Sequence, residues 1–185
     1  MTAKKKMRAA KRNRHAGIPL KSAAQSTVLV IGLGNPLRGD DSVGRVVASR
    51  VKLRNQPFLK VVESSGEGTH LMELWSGAGT VIVVDAVASG AEAGMVQRFD
   101  AGQQALPVRF SGASTHAFGL GEAVELARVL HQLPQRLIVF GIEGKCFDVG
   151  SKLSVQVEKI VPHAVDRVLE EARRLLVAQA SACGV

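Results

Sequence analysis

The stretch Thr27-Val28-Leu29-Val30-Ile31-Gly32-Leu33-Gly34-Asn35-Pro36-Leu37-Arg38-Gly39-Asp40-Asp41-Ser42-Val43-Gly44 decides the fold. It opens on a continuous run of β-branched and apolar residues ending at Gly32, the pattern of a strand buried on both faces. From Asp41 the period changes. Val43, Val46, Val47 and Val51 recur at helical spacing, so a helix follows the loop within about ten residues.

The same alternation continues downstream. Phe58–Val62 reads as a second strand, and Leu71, Met72 and Leu74–Trp75 fit a short helix after a glycine-rich turn. Thr80-Val81-Ile82-Val83-Val84-Asp85 is the clearest strand, apolar until it ends on an acid. Met95–Phe99 predicts a shorter strand, a helix is expected from about 116 to 131, and Arg136–Ile142 predicts another buried strand. A last helix carries Ile160, Ala164, Val165, Val168, Ala172 and Leu175, with Pro162 in its first turn or kinking it. Strands alternating with helices imply an α/β fold, a mostly parallel sheet with helices on both faces. Ligands of such sheets bind outside the carboxyl ends of the strands.

The loop after the first strand is not a dinucleotide loop. G-x-G-x-x-G would need glycine at position 37, where the chain has Leu37. Asp40 and Asp41 would also repel a pyrophosphate at the helix amino terminus. No lysine suits a P-loop. What the loop offers is a pair of carboxylates, of which one is expected to cap the helix and the other to be available for chemistry. Asp85 is a second candidate, because an acid following four apolar residues is costly unless solvated, paired or bound to a cation. His116, just before a helix start, is the third; a helix amino terminus disfavours imidazolium and keeps the ring able to ligate. Two carboxylates and an imidazole suit a divalent cation with open positions for water or substrate. A nucleophilic mechanism through Ser114 or Cys146 lacks a recognisable context such as G-x-S-x-G.

Composition sets the remaining bounds. At 185 residues with 46% hydrophobic and 22% charged residues, the chain has the length and composition of one globular domain. No apolar run approaches the roughly 20 residues of a membrane span. The net charge is +8, but residues 1–26 hold eight Lys/Arg and no acid, leaving 16 basic against 16 acidic residues beyond them. Residues 1–26 therefore read as a solvated, disordered arm and 27–180 as the domain; a nucleic-acid partner is not expected. Cys146 and Cys183 provide neither a disulfide framework nor a thiolate cluster, which fits a reducing cytoplasm. Nothing in the chain demands more than a monomer.

These segments in this order resemble the hydrogenase maturation proteases, which remove a carboxy-terminal peptide from the large-subunit precursor of nickel–iron hydrogenases. The resemblance rests on Gly32-Leu33-Gly34-Asn35-Pro36-Leu37, Asp40-Asp41 and Gly44, on Asp85-Ala86, and on Ser114-Thr115-His116 with Gly119-Leu120. It runs from about residue 27 to 178. It implies a three-layer α/β/α domain around a twisted five-stranded sheet. It also implies metal ligation by Asp41, Asp85 and His116, with Asp41 and Asp85 as the catalytic carboxylates. The resemblance further implies that the metal is nickel carried by the substrate, the hydrogenase large-subunit precursor. Ser42 stands where many relatives have glycine or alanine, and the basic arm lies outside the family pattern. Glu67, His70 and Glu143 are expected near the same sheet edge, in capping or surface roles rather than shaping the cleft. Two rivals use the same ligands: a non-catalytic nickel-site chaperone, and a peptidase of this fold for another precursor.

Overall fold

The computed structural model describes residues 27–107, 110 and 118–182. Five strands form one sheet: β1 (Val28–Leu33), β2 (Leu59–Ser64), β3 (Thr80–Val87), β4 (Val96–Asp100) and β5 (Arg136–Glu143). Their order is β2-β1-β3-β5-β4, parallel throughout except for β4, which pairs antiparallel with β5 at the edge. The helices are α1 (Val43–Leu53), α2 (Gly68–Trp75), α3 (Leu120–Val129) and α4 (Val155–Ala182), and a 3-10 turn, Gly39–Ser42, precedes α1. The central strands are apolar on both sides because both sides are covered. Val43, Val47 and Val51 of α1 and Val161, Val165 and Val168 of α4 pack on one face, against Val30, Ile82, Val84 and Ile138. Leu71 and Trp75 of α2 and Leu120, Val124 and Ala127 of α3 pack on the other, against Ile31, Val81, Val83 and Val139. This is the expected three-layer α/β/α arrangement.

Several boundaries differ from the sequence reading. β3 continues two residues past Asp85 and β5 includes Glu143, since both strands stay paired with each other to Val87↔Glu143. α3 begins at Leu120 rather than near 116, and residues 111–117 lie outside the described set. Pro162 lies well inside α4, where its ring removes one N–H from the helix ladder. The arm, residues 1–26, also lies outside the described residues. Among the described residues no helix is long and apolar enough to cross a membrane.

The antiparallel edge strand is tied to α4 by charge. Glu171, only 8% exposed, accepts from Arg98 Nη2 at 2.9 Å and Nε at 3.2 Å, and from Arg174 one turn along its own helix. Burial alone would raise the Glu171 pKa, but the two guanidiniums outweigh it and hold the carboxyl below its ordinary range. A carboxylate whose pKa is lowered on folding stabilises the native state above its unfolded value of 4.5, and that stability disappears as pH falls through the folded value. Glu171→Gln is therefore expected to cost about 2 kcal/mol at pH 7, a fall in Tm of roughly 4–8 °C. The gap between variant and wild type closes as pH drops below 4.5. Thermal melts followed by circular dichroism at several pH values check this; a pH-independent gap would mean the pair contributes only packing.

Candidate active site

The sheet order reverses direction at β1: the chain leaves β1 for β2 on one side and returns to β3 on the other. The switch point thus lies between β1 and β3, where an open α/β sheet presents a crevice at the carboxyl ends of its strands. Asp41 comes off β1 and Asp85 lies near the end of β3. The register pairs Gly32 with Val84, which sets Asp85 one residue beyond that pair, on the α2–α3 side of the sheet with Val81 and Val83.

Glycines bring the first acid there. A Cβ on Gly44 would stand 2.2 Å from the Val84 carbonyl oxygen and 2.6 Å from that of Leu33, so only glycine lets α1 start against β1 and β3 together. Gly34 has φ +121°, and a side chain there would run into the Asp41 carbonyl oxygen. Asn35 then makes a turn, its Oδ1 accepting the Leu37 N–H at 2.9 Å. Its own N–H donates to Asp41 Oδ2 at 3.1 Å. Gly34-Asn35 therefore orients an acid, where a dinucleotide loop would open toward a phosphate.

The adjacent acids have separate surroundings. The N-cap residues, Arg38 for the 3-10 turn and Ser42 for α1, make no side-chain cap hydrogen bond, and the Asp40 carboxylate bonds across to another loop rather than capping the helix. Asp41 is 8% exposed. Asp40 is fully buried and is fastened to the loop between β5 and α4. For Asp40, burial would raise the pKa, but N–H groups of Lys145, Cys146 and Ser154 and the Ser154 hydroxyl outweigh it and hold the group below the usual range.

Asp85 behaves in the opposite sense. Burial pushes its pKa up to about 7, the charge of Asp41 pushes the same way, and the Ala86 N–H, donating to Oδ1 at 2.9 Å, only partly offsets them. Asp41 and Asp85 thus sense each other's charge across the switch point. Two ionised carboxylates at close quarters are stabilised by a cation between them, so this donor pair fits a divalent ion. His116, the third expected ligand, lies outside the described residues, as do Ser114 and Thr115. Among the described residues no three His, Cys, Asp or Glu side chains are grouped to hold a metal. Phe118, two positions after His116, packs its ring on Gly68 and accepts the Gly68 N–H at 3.0 Å.

The weaker candidates have structural work. Glu67 caps α2, accepting from the N–H groups of Thr69 and His70. His70 stands exposed, 3.7 Å from Glu73. Glu143, at 1% exposure, accepts from the N–H groups of Ser89, Gly90 and Ala91 and the Ser89 hydroxyl, folding the β3–β4 connection back onto β5. The Cys146 thiol contacts Asp148 at 3.7 Å.

A family model described as hydrogenase maturation protease matches residues 45–171. The chain belongs to that family of peptidases. The matched region includes Asp85 and His116 and starts just beyond Asp41. A Methanocaldococcus jannaschii relative bearing a hydrogenase maturation protease name is 30% identical over 154 residues, covering 80% of this chain and 97% of the relative. The hydrogenase 2 maturation protease of Escherichia coli is 23% identical, with 79% of this chain and 90% of that protein covered. Among solved structures, the hydrogenase maturating endopeptidase HybD from E. coli superposes with a TM-score of 0.67 at 22% identity, over 80% of this chain and 93% of that one. That likeness establishes a shared fold.

The Asp85 environment has a measurable consequence for this maturation protease. An acid whose folded pKa is raised to about 7 from an ordinary 3.8 keeps its proton longer in the native state. Stability falls as pH rises between those values, and the full cost of the buried charge is present above the upper one. Asp85→Asn removes that cost while keeping an acceptor for Ala86. The variant is expected to melt above wild type at pH 8, with the difference vanishing near pH 4. Equal melting temperatures at both pH values would show that Asp85 is solvated rather than enclosed beside Asp41.

Proposed function

We propose that the protein is an endopeptidase that removes the C-terminal peptide from the precursor of a nickel–iron hydrogenase large subunit, recognising nickel already inserted in that substrate. The observation that carries this is the placement of Asp41, off β1, and Asp85, near the end of β3, at the switch point, in a chain of the hydrogenase maturation protease family. Two acids held this close repel each other, an arrangement that makes chemical sense as a cation seat.

In this reading Asp41, Asp85 and His116 take the substrate-borne cation, and the scissile peptide bond of the precursor comes to lie beside them. The cation supplies polarisation of the carbonyl or activation of a water. A carboxylate of the pair serves as general base toward that water. Asp41, oriented by the Asn35 N–H, contributes the second carboxylate of the seat. The protein acts as a monomer in the cytoplasm, where the trimmed large subunit can close over its metal centre.

The test is the intact mass of the nickel-loaded precursor before and after incubation with the protein. Wild type is expected to release one carboxy-terminal peptide. Asp41→Asn, Asp85→Asn and His116→Ala should each slow release by about a hundredfold or more, with the fold retained. An unchanged mass together with a stable complex would instead make the protein a nickel-site chaperone. Normal trimming by folded His116→Ala would remove that residue from the site.

A further inference from the structure

Asp40 has no role in the reading above, yet its carboxylate accepts four hydrogen bonds, all from the loop between β5 and α4. It is 0% exposed. Its Oδ1 accepts the Ser154 N–H at 2.7 Å. Its Oδ2 accepts the N–H of Lys145 at 2.8 Å, the N–H of Cys146 at 2.9 Å and the Ser154 hydroxyl at 2.8 Å. The Asp40 N–H in turn donates to the Cys146 carbonyl at 2.8 Å. These partners sit at both ends of the loop 144–154 that joins β5 to α4, so one side chain closes the loop on itself and onto the 3-10 turn.

Further bonds run along the same join. Gly39 N–H donates to Ser151 O at 3.2 Å, Gly150 N–H to Leu37 O at 2.7 Å, and Arg38 Nε to Phe147 O at 3.1 Å. Asp41, the next residue, is held from its own side by Arg38 O at 3.0 Å from its N–H and by the Asn35 N–H on its carboxylate. Loops at a sheet edge are ordinarily the mobile part of such a fold. Here two loops more than a hundred residues apart are bolted together around Asp40, and the turn cannot shift without breaking several buried bonds.

We propose that Asp40 is the positioning residue of the site, fixing where Asp41 stands by locking the 3-10 turn to the β5–α4 loop. It touches no substrate and moves no proton. The anion is needed for its acceptor pattern: every partner is a donor, and asparagine would have to aim its NH₂ at one of them whichever way it turned.

Two readouts test this, and only one rests on the endopeptidase reading. The Asn35 amide resonance in a ¹⁵N spectrum of the full chain reports the Asp41 carboxylate directly, without substrate. In Asp40→Asn it is expected to move along with the amides of Lys145, Cys146 and Ser154. On the nickel-loaded precursor, the same variant should lose about a hundredfold in kcat with KM unchanged. Ser154→Ala, which removes one bond, should move the Asn35 amide in the same direction with a smaller kcat loss, and Ser154→Thr should restore both. It decides the matter if Asp40→Asn does not fold. An Asn35 amide that stays in place in folded variants of wild-type kcat overturns the proposal, leaving Asp40 a loop fastener. A wild type that trims nothing, with Asn35 still shifting in the variants, defeats the proteolytic reading while the positioning of Asp41 stands.

Discussion

The site depends on how closely α1 approaches the sheet. With no side chain on Gly44, the helix begins in contact with the carbonyls of Leu33 and Val84, and with none on Gly32 it stays against β1 for its first turn. That contact draws the 3-10 turn, and with it Asp41, across the mouth of the switch point toward the strand that ends beside Asp85. A methyl group at either glycine would push the helix outward, since the obstructing atoms are backbone and cannot rotate away. The hydrophobic layers on both faces then fix the helix and strand axes, so the polar site inherits its geometry from a packed core.

Placing Asp41 and Asp85 together opposes stability. Burial and the charge of Asp41 both disfavour ionisation of Asp85, and among the described residues one N–H, that of Ala86, helps the anion. Elsewhere in this protein enclosed acids are fully compensated: Glu171 by two arginines, Glu143 by three backbone N–H groups and a hydroxyl, Asp40 by a similar set. Asp85, with the Ala86 N–H as its one such donor among the described residues, differs from them as a candidate site residue would.

Much of this was legible in the residues. Unbroken β-branched runs at 28–31 and 81–84 announced strands covered on both faces, and the change to helical spacing at Val43 announced the crossover that makes the sheet parallel. Asp85 stood out because four apolar residues precede it. What holds Asp40 was not legible, because every side-chain partner of Asp40 is 105 to 114 residues away, and only the resemblance set Asp41 apart from it. Glu143 was hidden for the same reason, its partners lying 52 to 54 residues upstream. Strand ends were misread by one or two residues because pairing between β3 and β5 carries both past their apolar runs.

The same architecture shows why a fold does not name a chemistry. A glycine-rich loop running from a buried strand into a helix at a switch point is, in dinucleotide-binding proteins, an anion site: backbone N–H groups and the helix dipole face a pyrophosphate. Here the Asn35 N–H is turned onto Asp41, and the position where a third glycine would admit phosphate is Leu37, 66% exposed. The Asn35 N–H, which in such a loop would meet an external anion, thus meets an internal one, the Asp41 carboxylate. A loop of that sign would suit a cation where a phosphate cradle suits an anion, without changing a strand or a helix. In this chain of the hydrogenase maturation protease family the glycines serve the same close backbone approach as they do in a dinucleotide loop.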